Sequence, residues 1–413
     1  MTVLPRGTLI LAVGIVALEF AAAVTSFVAS TLLPVVARDL DAGDRLGLLI
    51  AGSTLGLFVA LPLASRVLGR LGTRGTLAAG MLAYVGGLVV AATAQSAWVF
   101  ALGQLSTGLA SGLLAVFGVS SAIRHLDERL RLRVVAASSA MWILPALVGP
   151  AATLGLEHLV GWRWTLLVPV PFVLFGRLLV VRAVRDDPPA DAANRPLGRT
   201  LLVPLGAAGV VLSTGWPLAV AGAVVAAAGM VAILPAGTAR LRRGRPAALA
   251  AMVLFAVGHF GADSLITVLL TTGFRVSLGQ AAIVLSAAPL AWAVTSLFAR
   301  RFPTTGLTLT ALGTGVLAIA LATGRPFAVV LAAWTVAGIG VGLAYPGLYV
   351  RATTAGPSGF TATELATAVI TAECVGQLLG RAIGGALSSA GGLFASYVVF
   401  AVALAAAAVV SRR

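Results

Sequence analysis

Thr8-Leu-Ile-Leu-Ala-Val-Gly-Ile-Val-Ala-Leu-Glu19-Phe-Ala-Ala-Ala-Val-Thr-Ser-Phe-Val-Ala-Ser-Thr-Leu-Leu-Pro-Val-Val36 reads as one membrane-crossing helix. A spanning helix needs about 20 mostly apolar residues, and the single charge in this run is Glu19. Met1 to Arg6 leads into it without a small-residue cleavage site, so the run is expected to stay as a first helix and not to be removed as a signal peptide.

The remainder of the chain has the same character. Of its 413 residues 59% are hydrophobic and 10% charged, and the mean hydropathy is +1.04. A soluble domain carries roughly 25% charged residues, so this chain cannot clothe a water-facing surface. Soluble enzymes, nucleic-acid-binding domains and disordered scaffolds are excluded on that ground. The lone Cys374 lies in an apolar run and offers neither a disulfide framework nor a thiol metal site.

Further spans are expected at 46–68, 75–93, 98–123, 134–156 and 164–181, then at 200–213 and 217–234. The last six are 247–274, 280–299, 306–323, 327–350, 363–388 and 393–410. The expected fold is therefore an all-α integral membrane protein of fourteen helices. Residues 1–184 form a six-helix bundle, 185–199 a cytoplasmic linker, 200–245 a central hairpin with a cytoplasmic loop, and 246–413 a second six-helix bundle. The run 200–213 reaches only about 21 Å at 1.5 Å per residue. If the hairpin does not cross, twelve spans remain.

The formal charge of +15 resides entirely in 28 arginines, because the sequence has no lysine. With the N-terminus inside, 22 of them fall at cytoplasmic ends. These are Arg6; Arg66, Arg70 and Arg74; Arg124, Arg129, Arg131 and Arg133; Arg177, Arg182, Arg185, Arg195 and Arg199; Arg240, Arg242, Arg243 and Arg245; Arg300 and Arg301; Arg351; Arg412 and Arg413. Arg38, Arg45, Arg163, Arg275 and Arg325 fall outside, and Arg381 lies within a helix. That asymmetry places both termini in the cytoplasm, and it leaves no basic stripe interleaved with aromatics for nucleic acid. Arg70 and Gly75 also reappear as Arg301 and Gly306 at a common offset of 231, the kind of internal repeat found in two-bundle transporters.

With those features in place, the sequence resembles the major facilitator superfamily, most closely its fourteen-helix drug:proton antiporter branch. The stretch Ser65-Arg-Val-Leu-Gly-Arg70-Leu-Gly72-Thr-Arg74 is similar to the family's gate motif, matching at Arg70, Gly72 and Arg74, with Gly69 in place of its Asp. Gln104-Leu-Ser-Thr-Gly108-Leu-Ala-Ser-Gly112 resembles the helix 4 element, with Gln104 where the family has the Arg it associates with proton transfer. Pro145-Ala-Leu-Val-Gly149-Pro150 resembles the antiporter motif of helix 5. Gly338-Ile-Gly340-Val-Gly342 with Pro346, and Trp162-Arg-Trp164, also look like that branch. The resemblance implies gating by Arg70, Gly72 and Arg74, and a hinge at Pro145, Gly149 and Pro150 that seals the cavity. The prolines by themselves imply only a bend.

The candidate chemistry lies in charges that the bilayer makes expensive. A central charge costs about 2.5 to 3.5 kcal/mol on insertion scales. Glu19 lies about 16 Å into the first helix, Asp263 about 24 Å into the ninth and Glu373 about 15 Å into the thirteenth. Desolvation favours the neutral form of a carboxylic acid, so such a group can take up a proton from one side and release it to the other. The alternative for each, weightiest for Glu373, is a carboxylate lining a wet cavity or hydrogen-bonded across helices. His259 and Asp263, spaced i and i+4, share a face; the imidazole is either a proton relay or a satisfied intramembrane histidine. Glu373, Gln377 and Arg381 form a second stripe. Arg381, a fixed cation, either pairs with a carboxylate or attracts an anionic group of a substrate.

Gly376, Gly380 and Gly384 are read as a helix-packing ridge. Trp142, Trp292 and Trp334 either line a pocket or are ordinary core and lipid-facing aromatics. His125-Leu-Asp-Glu128 is not a zinc-protease helix, and a phosphate loop needs the lysine this chain lacks. The expectation is a monomeric, proton-coupled exporter of hydrophobic or amphiphilic small molecules in the bacterial plasma membrane. Its partners are substrate, protons and lipid, with no nucleic acid, cofactor, metal or catalytic residue. An uptake symporter, a facilitator and a channel are the alternatives.

Overall fold

The computed structural model describes residues 6–42, 46–183, 198–213, 215–276, 278–298, 303–324, 326–354, 361–389 and 392–413. Arg45, Arg185, Arg195, Ala299, Arg300, Arg301 and Arg325 lie outside the described residues, as does most of the expected linker. The side chain of Pro150 is also outside them. Every regular element among the described residues is a helix. Hydrocarbon selects for this outcome, because a helix satisfies its backbone hydrogen bonds within one segment.

The chain divides into two compact units. Unit 1 comprises 1–134, 141–204 and 355–367; unit 2 comprises 135–140, 205–354 and 368–413. In unit 1, α1 (Arg6–Asp39) is followed by α2 (Leu46–Ala92), which is interrupted at Gly72 with φ 64° and ψ −177°. That conformation is open essentially to glycine alone. The two expected spans 46–68 and 75–93 are thus joined by a single-residue reversal, and both arms pack on α3 (Ala97–His125). A Cβ at Gly103 would lie 2.6 Å from the Gly87 carbonyl oxygen and the Ala91 nitrogen, and one at Gly108 would collide with the Ser53 backbone. Glycine lets these helices approach to backbone contact.

The span expected over 134–156 carries a two-residue turn in the structure. It comprises α4 (Glu128–Ala140) and α5 (Ile143–Val160), separated by a turn at Met141 and Trp142. α6 (Trp162–Thr165) and α7 (Pro169–Ala183) follow, and Gly14 of α1 and Gly176 of α7 bring those two helices together. At one end of the unit, Arg163 pairs with Asp39 at 2.9 Å, donates to the Ala94 carbonyl at 3.2 Å and lies 4.3 Å above the Trp162 ring.

A 3-10 turn, Gly198–Leu201, leads into α8 (Leu202–Val211). Gly206 and Gly222 bring α8 against α9 (Trp216–Ile233). In unit 2, α10 (Arg245–Val268) ends in a π turn, Leu269–Gly273. Then come α11 (Leu278–Leu297), α12 (Pro303–Thr323), α13 (Phe327–Thr353), α14 (Ala362–Ser389) and α15 (Leu393–Val410). α11 and α12 pack on α13 as the two arms of α2 pack on α3. Gly108 and Gly112 face the first arm, and Gly338 and Gly342 face α11; each pair is 230 positions from its counterpart.

The expected packing ridge on α14 is present. Gly376 meets Ala256 and Val253, Gly380 meets Val257 and Gly261, and Gly384 meets Leu265 and Phe400.

Candidate functional site

Unit 1 holds Glu19 half-buried on α1. Its side-chain hydrogen-bond partner is Trp142, at the break between α4 and α5. The Trp142 ring meets Phe27 edge-on at 6.3 Å, and Gly149 of α5 sits opposite Phe27. The interruption of the apolar run therefore delivers an indole N–H to the carboxylate on α1. Tyr84 and Thr25 share a hydrogen bond of 2.6 Å that ties the second arm of α2 to α1. Gln104 is buried, with its Cβ against Gly52. Arg70 and Arg74 are exposed on either side of the Gly72 reversal, and Pro145 is buried.

Unit 2 holds the other predicted residues. On α10, Asp263 is exposed whereas His259, one turn away, is 4% exposed. Sharing a face does not give the two residues one environment. Arg381 of α14 is also exposed and acts on Asp263 through space. The Tyr397 hydroxyl of α15 donates to the Ala262 carbonyl at 2.9 Å, fixing the backbone beside Asp263.

Glu373 and Gln377 are half-buried on α14. The Tyr345 hydroxyl of α13 donates to Oε2 of Glu373 at 3.0 Å. The Tyr345 ring continues into an aromatic cluster that spans three helices. It contacts Phe255 at 6.0 Å, Trp292 at 5.7 Å and Tyr349 at 5.8 Å. His259 stacks between Phe255 (5.6 Å, 13°) and Trp334 (5.8 Å, 21°), with Trp292 edge-on at 5.9 Å and Phe260 at 5.3 Å. Trp292 and Trp334 are thus neighbours of the predicted histidine, with Trp334 a fully buried core residue. His259 Nδ1, Trp292 Nε1 and Trp334 Nε1 are buried without a hydrogen-bond partner. Tyr345, Tyr349 and Phe255 carried no weight in the sequence; the i, i+4 spacings of Phe255 with His259 and of Tyr345 with Tyr349 were the available signal.

Helices built for close approach and a Gly-x-x-x-Gly device repeated in both units fit the two-repeat plan found in membrane transporters. The Major Facilitator Superfamily model matches residues 15–364. The chain belongs to the major facilitator superfamily. Ten of its helices among the described residues are long and apolar enough to cross a membrane.

Its relatives include a probable multidrug-efflux transporter of Mycobacterium tuberculosis (strain ATCC 25618 / H37Rv), 32% identical over 55% of this chain and 50% of that protein. Another is a multidrug efflux pump of Staphylococcus aureus (strain N315), 21% identical over 42% of this chain and 39% of that one. The chain spans about half the length of these relatives or less. Among solved structures it is similar to the human organic anion transporter MFSD10, with TM-score 0.73 and 15% identity over 98% of this chain and all of that one. It is also similar to the outward conformation of the superfamily transporter FucP, with TM-score 0.70 and 16% identity over 98% of this chain and 99% of that one. At such identity the structural likeness establishes the superfamily fold alone.

Proposed function

We propose that this superfamily member is a proton-coupled exporter of hydrophobic or amphiphilic compounds, of the fourteen-helix antiporter type. The observation that carries the reading is the set of mid-helix carboxylates, each beside its own modulating group. Glu19 has the Trp142 indole, Asp263 has the fixed cation Arg381, and Glu373 has the Tyr345 hydroxyl. Intramembrane acids are retained where they move charge. The outward direction is drawn from the multidrug-efflux names of the relatives. Fourteen spans keep both termini on the cytoplasmic side, and the chain works as a monomer in a bacterial plasma membrane.

The chemistry is an exchange in which no covalent bond to carbon changes. A carboxylate open to the outside takes up a proton and loses its charge. Alternating access then turns the site inward, where the proton leaves and the restored anion accepts a polar or cationic part of the cargo. Glu19 and Asp263 are the first coupling groups, with Glu373 and Arg381 next. Arg381 keeps its charge throughout.

The test is reconstitution into proteoliposomes containing a pH indicator and the amphiphilic dye rhodamine 6G. An exporter of this kind moves dye uphill when a proton gradient is imposed and dissipates that gradient as it does so. Dye movement that is downhill only and indifferent to the gradient identifies a facilitator instead. Ligand-induced thermal shifts across drugs and metabolites then identify the cargo.

A further inference from the structure

The orphaned nitrogen of His259 is the least explained polar group in unit 2. A ring held only by packing would be a phenylalanine, since a buried polar atom without a partner costs about 1 to 3 kcal/mol. His259 instead places Nδ1 without a partner among the rings of Phe255, Trp292 and Trp334, with 4% of the residue exposed. Two independent ring paths lead from it to the same hydroxyl. One runs His259, Phe255, Tyr345 and the other His259, Trp292, Tyr345, with every centroid separation between 5.6 and 6.0 Å.

We propose that His259 is a positioning residue for Glu373: a proton arriving at the imidazole is sensed at the carboxylate through the aromatic stack and the Tyr345 hydroxyl. The neutral ring already carries one N–H, and a second proton from water at the free nitrogen makes an imidazolium. Two aromatic faces flank that cation, an arrangement that attracts positive charge. The rings must then resettle around a charged neighbour and a new N–H donor. Close-packed interiors transmit such changes, and Tyr345 is the ring on both paths that also holds Glu373. The titratable or charged groups on the surrounding helices are Arg245 and Asp263 on the same helix, Tyr345, Tyr349 and Arg351 on α13, Glu364, Glu373, Cys374 and Arg381 on α14, and Tyr397 on α15. The inference deepens the proton-coupled reading and rests on Glu373 being a group that titrates.

Carbodiimide labelling of the full-length protein, read at Glu373 by mass spectrometry across pH, measures that titration without transport. The wild-type curve should depart from a one-proton shape. His259→Phe should restore that shape and move the midpoint by about half a pH unit or more. Tyr345→Phe should shift the midpoint too, and adding His259→Phe to it should change nothing further. His259→Gln, which likewise carries no charge, replaces the phenylalanine variant if that fails to fold. A His259 variant whose curve superimposes on wild type overturns the proposal, as does an equal His259 effect with and without the Tyr345 hydroxyl. A Glu373 that never titrates between about pH 5 and 8 defeats its coupling role and this inference together. Ordinary titration without His259 dependence defeats the inference alone.

Discussion

Tyr345 and Glu373 face each other across α13 and α14, the phenol donating to Oε2 at 3.0 Å. A hydrogen bond to a charged group is worth about 1.5 to 3 kcal/mol. Tyr345→Phe keeps the ring and removes the hydroxyl that makes this bond. Gradient-driven transport by that variant is expected to persist, with its pH profile displaced from that of the wild type. The measurement is the pH profile of dye efflux in proteoliposomes; a profile that coincides with wild type refutes a role for this bond.

Glycine at the helix crossings is a requirement of space. A Cβ at Gly108 would lie under 3.0 Å from the Ser53 Cα and carbonyl carbon, whereas one at Gly118 would meet nothing within 4 Å. Gly108→Ala is expected to cost about 1 to 3 kcal/mol. Gly118→Ala should be neutral or stabilising by up to about 1 kcal/mol. Thermal unfolding in detergent distinguishes them, and equal melting points for the two variants contradict the packing described.

Gly72 makes a different demand. There is nothing within 4 Å of a Cβ built there, so space is ample, but φ 64° with ψ −177° is forbidden to side chains. Gly72→Ala should therefore lose about 1 to 3 kcal/mol of stability although it touches no neighbour. Unchanged melting in that variant places the arms of α2 in some other turn.

Arg163 forms its pair with Asp39 where both side chains are 43% exposed. Such pairs contribute about 0.2 to 1 kcal/mol and weaken with salt. Arg163→Gln should lower the melting point slightly at low ionic strength and by less in molar salt. A large, salt-independent loss means that the bond to Ala94 or the Trp162 stacking dominates.

Much of this was legible in the sequence because hydrocarbon imposes a simple grammar. Apolar runs of spanning length, the glycine ridge of α14 and the mid-helix acids follow from burial cost alone. The turn at Met141 and Trp142 was legible only as a bend: Pro145 removes the N–H that would reach the Met141 carbonyl, while Ala140-Met-Trp-Ile143 is as apolar as its flanks and hides where the helix stops. The different exposure of His259 and Asp263 was not legible, because helical spacing assigns a face but not what covers each level of it. The aromatic cluster depends on contacts among α10, α11 and α13, which residue patterns within one helix do not encode.

The most direct test of the central claim compares two modes of transport in one variant, Asp263→Asn. Antiport predicts that dye exchange across the membrane without a gradient survives, since it needs no net proton movement, while uphill efflux driven by an imposed pH difference falls at least tenfold. Uphill efflux at the wild-type rate would contradict the account.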